Sequence, residues 1–237
     1  LTGLGLPSLK RMGAAEVFDP PEAWCPLLTE EQKRNAVSAQ LGAVPRPKGY
    51  TDRIAALQKI LGRGVAPPMQ SMPDVVSGGD VGWIGGSNAA SSWIEAMLLQ
   101  LGAGLPMAYG RVTPAQLYEL LELHVYYRAV AVRGLAIERR GESNLLAHMM
   151  RDLLTPASGA SLYVGHDTNL DQFGVLCDLA WDDIAPYPAN ATPPGSMLRL
   201  TASDACANFP LGGGLCERVV SADFLYTTFD TTDGAMR

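Results

Sequence analysis

The sequence predicts an α/β fold in which a mainly helical stretch leads into a strand, a strand-to-helix turn and a β-rich end. Three observations predict it. Ser161-Leu162-Tyr163-Val164 is short, β-prone and bounded by Gly159 and Gly165, so it reads as a buried strand, while Leu170, Phe173, Val175, Leu176 and Leu179 behind it read as a helix. From Ser87 to Leu154 the apolar residues recur at helical spacing. Met197-Leu198-Arg199-Leu200 and the stretch from Val219 to Phe229 are β-prone. On these signals residues 1–28 form an extended entry segment, 29–155 a mainly helical subdomain, and 156–237 the carboxyl-terminal part of the α/β domain.

Residues 1–28 carry Gly and Pro with few periodic apolar positions. Thr29-Glu30-Glu31-Gln32 fits a capping box, in which side chains at both ends of the first turn satisfy its free N–H groups. That helix stops near Gly42, and Pro45 and Pro47 enforce the break. Ile54, Leu57, Ile60 and Leu61 mark a second helix with Gly62 at its end, followed by a long loop from Gly64 to Gly86. Ser87 or Asn88 can cap a third helix bearing Trp93, Met97, Leu98 and Leu101. Thr113-Pro114 opens a fourth, whose Leu117, Leu120, Leu121, His124 and Tyr127 share a face. Ser143 can cap a fifth carrying Leu146, Met149, Met150 and Leu153. Asp167, Thr168 or Asn169 can cap the helix after the predicted strand.

Composition narrows the function. With 237 residues, 47% hydrophobic and 18% charged, the chain can bury a sizeable core. A net charge of −6, without a Lys/Arg cluster interleaved with aromatics, gives no footprint for nucleic acid or an anionic membrane. Neither a bilayer-spanning apolar run nor a signal-peptide pattern is present. The opening on Leu1, without an initiator methionine, suggests a processed or incomplete chain.

Cys25, Cys177, Cys206 and Cys216 match no zinc spacing. Cys206 and Cys216 flank a turn-rich segment between β-prone runs, which leaves two readings: a disulfide stapling a hairpin in an oxidising compartment, or free thiols. Cys177 reads as a buried free thiol on the apolar side of its helix, and Cys25 has no evident partner.

The strand-to-helix turn presents His166 and Asp167 side by side. Such turns lie where open α/β sheets bind ligands, and the helix amino terminus directs unpaired N–H groups at an anion. A metal-dependent phosphohydrolase site needs further histidines; His124 and His148 are the only others, both inside predicted helices where a packed, hydrogen-bonded histidine is expected. Two readings remain for Asp167, a helix cap or a proton donor to a leaving oxygen beside a phosphate-binding imidazolium.

Gly165-His166-Asp167-Thr168-Asn169-Leu170, then Leu179-Ala180-Trp181, then Thr192-Pro193-Pro194-Gly195 resemble, in order, the HDTNL, W and TPPG series of histidine acid phosphatases, especially the bacterial phytase and glucose-1-phosphatase branch. Phe18-Asp19-Pro20 with Cys25, the stretch from Trp93 to Gln100, Tyr109-Gly110-Arg111-Val112 and Leu123-His124 extend the resemblance over nearly the whole chain. It implies a phosphoglycerate-mutase-like α/β sheet layer with an inserted helical subdomain, incomplete in this chain. It also implies hydrolysis of a small-molecule phosphate monoester through a phosphohistidine, without metal or organic cofactor, in a secreted or periplasmic enzyme. By that resemblance Asp167 is the general acid, His166 a phosphate-binding donor, and Thr168 and Glu95 contact substrate. An acidic working pH is implied, since Asp167 must carry a proton when it acts. Arg139 and Arg140 lie near the place of a leaving-group-binding arginine, slightly out of register.

The family's nucleophile sits in an RHGxRxP motif, and no RHG tripeptide occurs in this sequence. His124 and His148 lack adjacent arginines. The sequence therefore predicts an internal portion of a longer enzyme, poorly active alone and aggregation-prone where its sheet is uncovered. A pseudoenzyme that binds phosphate without turnover, or a structural role, are the alternatives.

Overall fold

A computed structural model describes residues 28–62, 69, 75–76, 83–134, 143–155, 159–207 and 215–229. The predicted entry segment with Cys25, and Arg139 and Arg140, lie outside the described residues.

The first helix, α1 (Glu30–Ala43), begins with a capping box in which Gln32 N donates to Thr29 Oγ1 at 3.3 Å and Thr29 N donates to Gln32 Oε1 at 3.1 Å. Helix α2 (Tyr50–Leu61) buries Ile54, Leu57 and Leu61 and stops at Gly62, whose φ of 82° lies in the left-handed region that favours glycine. The segment predicted as a long loop contains an antiparallel pair, β1 (Val75–Val76) with β2 (Trp83–Ile84). Helix α3 (Gly86–Gly102) follows directly with Gly85 as its N-cap, two or three residues earlier than a Ser87 or Asn88 cap allows. Ser87 is instead buried inside the first turn, its hydroxyl bonded to that of Tyr50 on α2.

Helix α4 (Pro114–Ala131) starts at a second capping box, Thr113 with Gln116, with proline at its first position. It packs along α3, and their Ile94, Met97, Leu101, Leu117, Leu121 and Leu123 form the centre of the main core. Helix α5 (Ser143–Leu154) turns Leu145 inward, whereas Met150 is exposed, which corrects the apolar face predicted for it.

The strand predicted at residues 161–164 does not form. The period-two pattern is real, with Tyr163 half-buried and its hydroxyl donating to Asp152 Oδ2 at 2.8 Å. Leu162 and Val164, however, are 70% and 78% exposed, and no described strand lies alongside. A strand exists only where its N–H and C=O groups meet a neighbour, so β-propensity without a partner gives an unpaired segment.

Helix α6 (Asp167–Leu176) follows that segment. Its C-cap is Cys177, a free and half-buried thiol whose pKa burial raises. Residues 177–196 are irregular but anchored by buried Trp181, whose ring stacks on Phe224 at 4.3 Å and whose Nε1 donates to Ala191 O at 2.8 Å. The described chain closes with an antiparallel hairpin, β3 (Met197–Ala207) and β4 (Leu215–Leu225), in register from Met197 opposite Leu225 to Ala207 opposite Leu215. That register sets Cys206 opposite Cys216; their side chains lie outside the described residues. No described helix is long and apolar enough to cross a membrane.

Candidate functional site

The amino terminus of α6 is built by the residues that precede and open it. His166, not Asp167, Thr168 or Asn169, is the N-cap, with extended backbone at φ −104° and ψ 168°. Asn169 reaches back, its Oδ1 accepting from His166 N at 2.7 Å. This requires the glycine before it, because a Cβ on Gly165 would stand 2.5 Å from that same Asn169 oxygen. Gly165→Ala is therefore expected to destabilise the chain by about 1 kcal/mol in urea unfolding, the worth of a helix cap. In an Asn169→Ala background it should cost almost nothing; an undiminished cost there would mean the glycine serves something other than the cap.

Asp167 is engaged at both oxygens. Oδ1 accepts from Thr168 N at 2.7 Å, placing negative charge at the helix amino terminus, where the peptide dipoles favour it. Oδ2 makes an ion pair with Arg128 Nη1 of α4 at 2.9 Å. Behind this pair lies a buried charge cluster. Arg128 Nε donates to Asp171 Oδ2 at 2.6 Å and Arg133 Nη1 donates to Asp171 Oδ1 at 3.0 Å. Arg133 Nη2 in turn donates to Asn190 Oδ1 at 3.2 Å, and its guanidinium lies over the Trp181 ring. Asp171 is 1% exposed. Burial pushes its carboxyl above the ordinary value, against the downward pull of Arg128 and Arg133.

A cavity of about 900 Å³ opens beside the helix terminus. It brings together Glu95 on α3, His124 on α4, and His166 and Asp167, with the Thr192-Pro193-Pro194-Gly195 turn and β3 forming another wall. Glu95 and His166 are exposed, whereas His124 is buried with Nδ1 2.9 Å from Ser91 Oγ. Burial and the nearby Arg128 charge lower the His124 pKa to about 4, partly opposed by Asp167 and the Ser91 contact. Thr168 does not line the cavity; its backbone N–H serves Asp167 instead. Two arginines stand at the β-hairpin wall, each already paired: Arg199 with Asp223 and Arg218 with Asp204, both at 3.0 Å. Among the described residues no three His, Cys, Asp or Glu side chains converge to hold a metal ion. Chemically, the arrangement sets an exposed imidazole and a carboxylate at a helix amino terminus whose dipole favours an anion, with the His166 and Thr168 amides already taken by Asn169 Oδ1 and Asp167 Oδ1.

Sequence reading missed the Arg128–Asp171–Arg133 cluster. One signal for it was available: Asp167 and Asp171 are four apart on one helix face, a repulsive spacing that is stable when a cation sits between them.

No protein-family model matches this chain, and no curated protein matches it. Solved structures do. It is similar to the phytase of Klebsiella sp ASR1 with a TM-score of 0.71 and 22% identity, over 92% of this chain and 56% of that one. The Hafnia alvei phytase in complex with tartrate matches with a TM-score of 0.64 and 22% identity, over 92% of this chain and 57% of the other. The same phytase in complex with myo-inositol hexakis sulphate matches with a TM-score of 0.65 and 21% identity, over 92% and 58%. The fold is thus the α/β fold of these phytases, and the chain spans little more than half their length.

Proposed function

We propose that this chain is the acid-bearing portion of a phosphomonoester hydrolase of the histidine acid phosphatase type. His166 and the amino terminus of α6 bind the phosphate, Asp167 protonates the leaving oxygen, and a histidine nucleophile is supplied by polypeptide outside these residues. The observation that carries this reading is the His166-Asp167 pair at a helix amino terminus, opening onto a large cavity in a fold shared with phytases. Glu95 on the same cavity contributes to substrate contact, and the amide of Thr168 donates to Asp167 Oδ1. A polyanionic ester suits the site, since one structural neighbour is a phytase holding a hexakis sulphate.

The exposed Leu162 and Val164 support a sheet completed by strands from outside the chain. The opposed Cys206 and Cys216 support a cross-strand disulfide, and with it a secreted or periplasmic setting.

Isothermal titration of the chain with inorganic phosphate tests the reading. Binding is expected, weakened at least tenfold by His166→Ala, with no turnover of p-nitrophenyl phosphate by this polypeptide alone. Turnover that Asp167→Asn abolishes would put the nucleophile within these residues after all. A folded chain that takes up no phosphate would shift the assignment to a structural or interaction role.

A further inference from the structure

We infer that Arg128 is a positioning residue for Asp167, holding the carboxylate in one orientation at the cavity from a site the ligand never touches. Arg128 is 8% exposed and does not line the cavity, whereas Asp167 does. Its guanidinium is clamped from behind, with Nε 2.6 Å and Nη2 2.6 Å from Asp171 Oδ2, on a carboxylate that is 1% exposed and also pairs with Arg133. Nε is thus committed to a buried partner and Nη2 lies against the same oxygen without a hydrogen bond, which leaves Nη1 aimed along α6 at Asp167 Oδ2, 2.9 Å away. The four groups carry two positive and two negative charges, so the buried cluster is balanced only with Asp167 included.

Without Arg128, Asp167 would keep one tie, the short bond from Thr168 N to Oδ1. That bond closes over adjacent residues and leaves Oδ2, the oxygen not turned to the backbone, free to swing. A planar fork suits this duty: lysine supplies the charge but cannot bridge two carboxylates in a fixed geometry. The inference deepens the hydrolase reading and rests on it for what Asp167 does, while the orientation of Asp167 is measurable without any turnover.

The test is the set of three-bond couplings from Asp167 Cγ to its own backbone N and carbonyl carbon, measured by NMR on the isotope-labelled chain. One staggered χ1 state is expected in the wild type. Arg128→Leu/Asp171→Leu, which removes the clamp and its anchor together and leaves Arg133 to Asn190 and the Trp181 ring, is expected to average the couplings over several rotamers. Arg128→Lys keeps the charge and is expected to produce the same averaging, and it decides the matter should the double variant fail to fold. Arg133→Leu, which touches Asp171 but not Asp167, is expected to leave the couplings as in the wild type. Couplings unchanged in Arg128→Lys and in the double variant would overturn the inference and assign the orientation to the Thr168 amide. Averaging in Arg133→Leu equal to that in Arg128→Lys would overturn it too, since cluster integrity would then be the cause. Averaging confined to the Arg128 variants, in a chain that binds no phosphate, would keep the positioning role and remove the function proposed for Asp167.

Discussion

Asp171→Ala is expected to cost the chain about 3–5 kcal/mol, because it leaves two guanidinium groups facing a cavity with no counter-charge. Arg128 loses the partner of Nε and Nη2, and Arg133 loses the partner of Nη1. Neither can turn to water: Arg128 is 8% exposed, and Arg133 is held between Asn190 and the Trp181 ring. The damage should travel through that route, loosening the stack of Trp181 on Phe224 and therefore the grip of residues 181–191 on the main core. Urea unfolding followed by tryptophan fluorescence reads both effects. Replacing the pair together, as Arg128→Leu/Asp171→Leu, should cost less, since it removes one of the two guanidinium groups with the carboxylate and leaves only Arg133 without its counter-charge. A midpoint for Asp171→Ala close to the wild type would mean that the cluster contributes nothing to the fold.

Acidification from pH 6.5 to 4 is expected to remove roughly 3 kcal/mol of stability through His124 alone. In the folded chain this imidazole is buried with a pKa lowered to about 4, chiefly by burial. An unfolded histidine takes its proton near pH 6.5, so between these values the unfolded state binds more protons than the folded one, and stability falls as pH falls. Above pH 6.5 both states are neutral and His124 has no effect. Asp171 acts with the opposite sign, because its raised pKa lets the folded state take up protons first. The His124 contribution is therefore read as the difference in slope between the wild type and His124→Leu, which should be the flatter of the two across this window. Parallel slopes would show that the ring is protonated in the fold.

What the sequence disclosed was local. Both capping boxes, Thr29 with Gln32 and Thr113 with Gln116, are pairs three residues apart, and a helix start needs nothing more distant. The pairing of β3 with β4 was likewise legible from two β-prone runs around a turn. Failures came where a distant partner decides. Ser87 has the chemistry of a cap, but Tyr50, 37 residues earlier, claims its hydroxyl inside the helix. The 161–164 segment has the composition of a strand and lacks a neighbour among the described residues. At the site, the His166-Asp167 pair was visible as adjacent residues, whereas the Arg128 clamp spans 43 positions to Asp171 and lies in a helix whose other inward residues are mostly apolar. Its trace was the unfavourable spacing of two aspartates, which carries meaning only once a cation is sought.

The unpaired segment before His166 has a consequence for how the chain survives among proteases. A protease takes its substrate as a single strand with free backbone groups and an accessible apolar side chain, which Leu162 and Val164 offer beside unladdered amides. A cut there would fall a few residues before the α6 cap, separating the helical core from the turn that presents His166 and Asp167. Any polypeptide that pairs with this segment hides the cleavage point, so resistance to limited digestion becomes a direct gauge of whether residues 161–164 are paired.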